Sequence, residues 1–207
     1  MTRSFMAAFA TATIMTASCS KEKDNLQHYQ VAPEQSSATW KGYLRTGYFN
    51  EGTISIESAT VKVKDGVVSE GTFVMPLYSL KNLNLPDDQK PLLIEHLQSP
   101  DFFNMVMHPS LKFTIAAVTE YKGPHSGAIT GANYYVTGDL SMLGTARQIT
   151  FPARIALSGH KLEVDADITI DRTQWGMNYA ADEALPDENF IKHNVDIHLH
   201  LAAEKSK

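Results

Sequence analysis

Lys161–Gly176 reads KLEVDADITIDRTQWG, and its alternation decides the fold class. Leu162, Val164, Ala166, Ile168 and Ile170 share one parity, while Glu163, Asp165, Asp167, Thr169 and Asp171 share the other. A period of two sustained over this length marks a strand with one face buried and one in water. Carried one step further, the same parity puts Arg172 on the apolar side. A strand that ends by turning a cation into its own hydrophobic face needs a reason.

The pattern recurs along the chain. Ser36–Leu44 places Ala38, Trp40, Gly42 and Leu44 on one side, and Thr53–Lys64 carries Ile54 and Ile56, then Val61 and Val63 after a parity break near Ala59 that suits a bulge. Asp65-Gly66 is a hairpin turn signal. Val67–Met75 follows, then Leu111–Ala117, Tyr134–Met142, Ile149–Leu157, the opening stretch, and a last strand with Val195, Ile197, Leu199 and Leu201 on one face. Between the third and fourth strands, Pro86–Leu97 has the look of an N-capped helix with Leu92, Leu93, His96 and Leu97 on a shared face. Eight consecutive antiparallel strands with one short inserted helix define an all-β chain. Closure into a barrel removes its exposed edges, with an open sandwich as the alternative.

In an up-and-down order, Asp65-Gly66, the turn Tyr121–Gly127 and Gly159-His160 fall at one end, and all are short. Both long connections, Pro76–Pro109 and Arg172–His193, fall at the other end. Long loops on one rim of a compact scaffold mark the functional end. Parity places Arg147, Arg172 and His193 inward at that mouth. Two readings stay open for Arg172: pairing with a loop carboxylate (Asp182, Glu183, Asp187 or Glu188), or meeting the polar head of a ligand. An eight-stranded barrel is just wide enough to be filled by side chains or to hold one ligand.

The chain has 207 residues, with 18 Lys plus Arg against 23 Asp plus Glu, a balance that disfavours nucleic acid. Its first residues look like export machinery: Met1-Thr2-Arg3 is positive, Phe5–Ala17 is small and apolar, and Thr16-Ala17-Ser18 precedes the one cysteine, Cys19. We expect a signal peptide over 1–18, lipidation at Cys19, a charged tether over 19–28 and a single domain over 29–207. Ser20–Asn25 is similar to the segment after the lipidated cysteine in surface-exported lipoproteins, and equally to a plain linker. A cell-envelope, lipid-anchored protein follows, facing either the periplasm or the exterior. Self-association into a homo-oligomer is left open.

Four stretches in order bring a family into view: Ser37–Gly42, Glu95–Phe103, Val136–Leu140 with Gly144, and Ile170–Gly176. In these the chain resembles the YceI-like family over roughly Tyr29 to Ala203. The resemblance implies a lipocalin-like barrel whose pore holds a long isoprenoid chain, a polyprenyl lipid or a quinone tail, with no cofactor beyond that ligand. Two stretches depart from the family at the mouth. Gly47–Gly52 lacks a His-Gly element, and Met75-Pro76-Leu77-Tyr78 lacks an aspartate. Candidate lining residues are Trp40, Phe73, Met75, Leu92, Phe103, Phe113, Val136, Leu140, Phe151, Ile155, Ile168 and Trp175. By residue type alone these suit a filled core as well as a cavity.

A rival enzymatic reading rests on His198 and His200, whose spacing can serve a metal. Their parity directs them away from the interior, as an ordinary solvated face would. No nucleophile elbow, phosphate loop or paired-carboxylate motif appears. The expectation is a binding protein, with a purely structural envelope protein as the alternative.

Overall fold

The computed structural model describes residues 25–57, 60–124 and 128–206. Among the described residues ten strands fill eight barrel positions and an eleventh, β6, lies beside them: β1 (Leu26–Val31), β2 (Ser37–Leu44), β3 (Phe49–Ser55), β4 (Thr60–Lys64), β5 (Val67–Pro76), β6 (Lys81–Asn82), β7 (Ser110–Glu120), β8 (Tyr134–Met142), β9 (Thr145–Ser158), β10 (Lys161–Asp171) and β11 (Ile191–Lys205). One helix, α1 (Lys90–Gln98), is inserted between β6 and β7. The antiparallel ring runs β1-β4-β5-β7-β8-β9-β10-β11 and closes by pairing β11 with β1. It is a closed eight-stranded barrel of the lipocalin-like type.

The first barrel position is split in two. Pro33 removes a donor, and Pro33–Gln35 forms a 3-10 turn between β1 and β2. The hydroxyl of the buried Ser36 fills the break: it donates to the Ala32 carbonyl (2.8 Å) and accepts from the Ala202 amide (3.0 Å). The long strand β11 therefore pairs with β2 along most of its length and with β1 at its end. The strand expected from Ser36 is β2, and β1 precedes it, so Leu26–His28 of the expected tether belong to the barrel. The second position splits likewise into β3 and β4. The parity break expected near Ala59 lies outside the described residues, and a bulge sits at Lys62/Val63.

Towards the mouth, β3 pairs with the two-residue β6 instead of β5. Asparagine side chains hold that loop to the β3 edge. Asn82 Nδ2 donates to the Glu51 carbonyl (3.0 Å), and Asn84 Nδ2 donates to the Phe49 carbonyl (2.9 Å). Their side chains do what a full neighbouring strand would do for an open edge.

A second opening lies between β9 and β10, whose ladder stops at Ala153–Ala166 while β10 continues to Asp171 beside β11. The 3-10 turn Arg172–Trp175 fills it. The Asp171 carboxylate accepts from the amide (3.0 Å) and hydroxyl (2.6 Å) of Thr173, and Gly176 ends the turn with φ of 87°.

The two rims match the expected division of loops with one change. The connection after β7 runs from Tyr121 to Asn133, longer than the turn expected over Tyr121–Gly127. At this foot Tyr29, Val63 and Leu162 are almost wholly buried and plug the barrel. The helix starts later than expected and has no side-chain cap: Gln89 is its N-cap, while Asp87 pairs with Lys90 at 2.8 Å.

Candidate functional site

Inside the barrel lie two stacked cavities. The mouth chamber is about 210 Å³ and the foot chamber about 100 Å³. They share a waist of Ala38, Met75, Leu140 and Ile197. Met75, unbranched and flexible, is the adaptable member of that waist. The foot chamber is walled wholly by apolar side chains, all but Ile56 from strands.

Most of the residues singled out from the sequence line these spaces. Trp40 and Phe103 face the mouth chamber; Phe73, Phe113, Val136, Phe151, Ile155 and Ile168 face the foot chamber; Met75 and Leu140 face both. Phe113 packs against Phe73 and Phe151 at ring separations of 6.3 and 5.7 Å. Close approach shapes this wall: a Cβ on Gly138 would lie 2.4 Å from the Phe113 ring, so only glycine fits there.

Four of the expected residues line neither chamber. Leu92 is 66% exposed, because α1 presents Leu93 and Leu97 to the chamber, a face one residue further on. Trp175 is buried in the apolar cluster of the mouth half without lining a chamber: it sits in the 3-10 turn beside the end of the β9–β10 ladder, and its Nε1 donates to the Leu140 carbonyl at 2.9 Å. Arg147 is exposed, since β9 above that ladder faces the turn rather than the pore, and its Nε donates to the Gln174 carbonyl at 2.7 Å. His193 sits in an irregularity of β11 between Ile191 and Val195, which turns it to the Ala181 carbonyl (3.0 Å) and the Phe190 ring.

Arg172 does border the mouth chamber and is 2% exposed. Its partners are backbone carbonyls: Nη1 donates to Met177 (2.6 Å), Nη2 to Ile191 (2.9 Å) and Nε to Lys192 (3.2 Å). None of the expected loop carboxylates reaches it. Burial pulls its pKa below the usual guanidinium range, with neighbouring Asp171 opposing, and an arginine stays charged regardless. Two of those carboxylates instead hold Arg45: Nη2 meets Glu183 at 2.5 Å and Nη1 meets Asp187 at 3.3 Å, with the guanidinium 3.9 Å over the Phe190 ring. Arg45 thus ties the β2–β3 turn to the loop before β11.

Two further polar groups belong to the mouth chamber. Trp40 Nε1 and Asn50 Oδ1 are buried without a hydrogen-bond partner. Both residues border that chamber. Leaving a buried donor or acceptor unpaired costs roughly 1–3 kcal/mol each. Asn50 lies opposite Gly42 in the ladder, and Trp40 lies opposite Gly52. A Cβ on Gly52 would fall 2.4 Å from the Trp40 ring and 1.8 Å from the Lys81 carbonyl, whereas one on Gly42 would meet nothing within 4 Å. The indole lies against a bare Gly52, beside free space over Gly42. Asn50 shares the inward parity of Ile54, but nothing in the sequence marks it as a polar side chain left without a partner.

On the outer face, His200 Nδ1 pairs with Asp165 and His198 Nδ1 with Asp167, each at 2.7 Å, and Arg154 also bonds Asp165. Burial pushes the Asp165 carboxyl up, but hydrogen bonds from His200 and Arg154 outweigh it and hold the pKa below the ordinary value. Among the described residues no group of three or more His, Cys, Asp or Glu is placed to hold a metal.

A family model described as YceI-like domain matches residues 29–203. No curated protein matches the chain. Among solved structures, BcnA of Burkholderia cenocepacia is 22% identical over 83% of this chain and 98% of its own, with a TM-score of 0.63. A polyisoprenoid binding domain from Saccharophagus degradans, described as implicated in plant cell wall breakdown, is 14% identical over 86% of this chain and 98% of its own, at a TM-score of 0.60. At these identities the likeness is one of fold.

Proposed function

Because the chain belongs to the YceI-like domain family, we propose that its barrel binds a long isoprenoid lipid, a polyprenyl lipid or a quinone tail, for carriage or storage. The observation that carries this reading is the pair of stacked apolar chambers meeting at a flexible waist. Each buried methylene contributes about 0.8 kcal/mol, so a tail threaded through both chambers binds without elaborate polar recognition. The reading is of a binding protein rather than an enzyme. The relative from Saccharophagus degradans, described as a polyisoprenoid binding domain, supports it by fold.

The same proposal extends to location. Cys19, outside the described residues, would carry the lipid anchor of a cell-envelope protein, and the pore would take its ligand from the adjoining membrane. In support, the mouth rim exposes Leu92, Val106 and Met107 at 66%, 90% and 68%, an apolar surface of the kind that meets lipid. The test is native mass spectrometry of the chain purified from its own host and again after incubation with polyprenyl lipids and quinones. A retained long apolar molecule is the expected result. Persistently empty protein under every condition would leave the structural reading standing.

A further inference from the structure

We propose that Trp40 Nε1 and Asn50 Oδ1 form a head-group subsite for a neutral hydroxyl, which makes the ligand an isoprenoid alcohol rather than its pyrophosphate. The proposal rests on the pore taking an isoprenoid chain. Its ground is the presence of one orphan donor and one orphan acceptor on the same chamber. Paired across β2–β3 with Gly52 and Gly42, the two residues are diagonal neighbours on one face, with Cβ atoms roughly 7–8 Å apart, a span that an aromatic side chain reaches across. Gly42 offers open space beside them.

A hydroxyl is the simplest group that satisfies both atoms, accepting from the indole N–H while donating to the amide oxygen. A phosphate or a quinone carbonyl only accepts, and leaves Asn50 Oδ1 facing another oxygen. The mouth chamber has one formal charge among its described lining residues, Arg172. Three bonds to carbonyls turn that guanidinium towards the loop it holds. Elsewhere the chamber wall is neutral, which suits a neutral head.

The experiment sets the full chain and its Trp40→Phe and Asn50→Leu variants against solanesol, solanesyl pyrophosphate and the headless hydrocarbon squalene, with competition read by native mass spectrometry. We expect the wild type to prefer solanesol to the pyrophosphate by about tenfold. Each variant should lose about 5- to 10-fold in solanesol affinity relative to squalene, the worth of one hydrogen bond. Circular dichroism and thermal melting matching the wild type show that the variants are folded. Solanesol held equally by variants and wild type would overturn the subsite, the two side chains then satisfying only each other. A pyrophosphate that displaces the alcohol would overturn it as well, with Asn50 turned to donate. If the wild type takes neither solanesol nor squalene, the pore reading itself falls.

Discussion

The two chambers are built by different physics. The foot chamber is enclosed almost entirely by strands, and its wall is apolar throughout. The mouth chamber is lined by strands too, β2, β3, β8 and β11 among them, but helix α1 and loop residues such as Leu80, Phe102, Phe103 and Met177 complete its wall. Its shape depends on hydrogen bonds from Arg172, Asn82 and Asn84 to backbone carbonyls. A wall held by ladder register is stable and indiscriminate, suited to a chain of repeating methyl-branched units. A wall held by side chains is where polar discrimination can be built.

The comparison breaks most strongly at Arg172. Replacing it with Leu removes the side-chain donor from the carbonyls of Met177, Ile191 and Lys192, the first of these bonds being buried, and should cost about 3–5 kcal/mol of stability. Urea denaturation measures the loss; a loss below about 1 kcal/mol would show that the mouth does not depend on this side chain. Next in size is Ile168→Phe, which fills the foot chamber. Affinity for a long isoprenoid should drop about a hundredfold while a three-isoprene chain binds as before, since only the long tail needs that space. Titration with a series of chain lengths reads this directly, and an equal loss for short and long chains would place the tail elsewhere.

Smaller effects sharpen the contrast. Asp165 stands on the outer wall of the foot half with its pKa below the ordinary value. It therefore contributes stability above about pH 4, and that contribution disappears as the pH falls through its folded value. Asp165→Asn should cost about 1–2 kcal/mol at neutral pH and flatten the acid limb of stability against pH. An unchanged limb would argue against the Arg154–Asp165–His200 cluster as its source. The smallest change is expected from Arg45→Ala, a rim clamp with exposed partners worth about 0–1 kcal/mol. Faster amide exchange in the loop before β11, with little change in global stability, is the outcome to look for. Slower or unchanged exchange would show that Arg45 holds nothing there.

The same division explains what could be read from the sequence. Phe73, Phe113, Val136, Phe151, Ile155 and Ile168 lie within strands, where local alternation fixes the face, and all six line the foot chamber. Trp175 lies within a 3-10 turn, where strand alternation does not apply, and His193 within the register irregularity of β11. Arg147 kept its parity but faces a turn, because the β9–β10 ladder had already ended. Leu92 missed by one residue on a short helix whose facing side is chosen by tertiary packing. Asn82 and Asn84 had no local signature, since their role appears only when β3 is left with an open edge. Asn50 is of the same kind: its meaning comes from having no partner, which only three dimensions can show.

The pairing that closes the barrel sets Tyr29 opposite Lys205. The final seam thus joins segments near opposite ends of the domain, so the cylinder cannot shut until its last strand is available. Loop-closure entropy and the non-local nature of such pairing make this a late and slow event. A chain lacking β11 would keep β1, β2 and β10 as open edges, with the interior turned to water. Synthesis of β11 and closure of the barrel are therefore coupled, and products truncated before β11 announce themselves as unfinished.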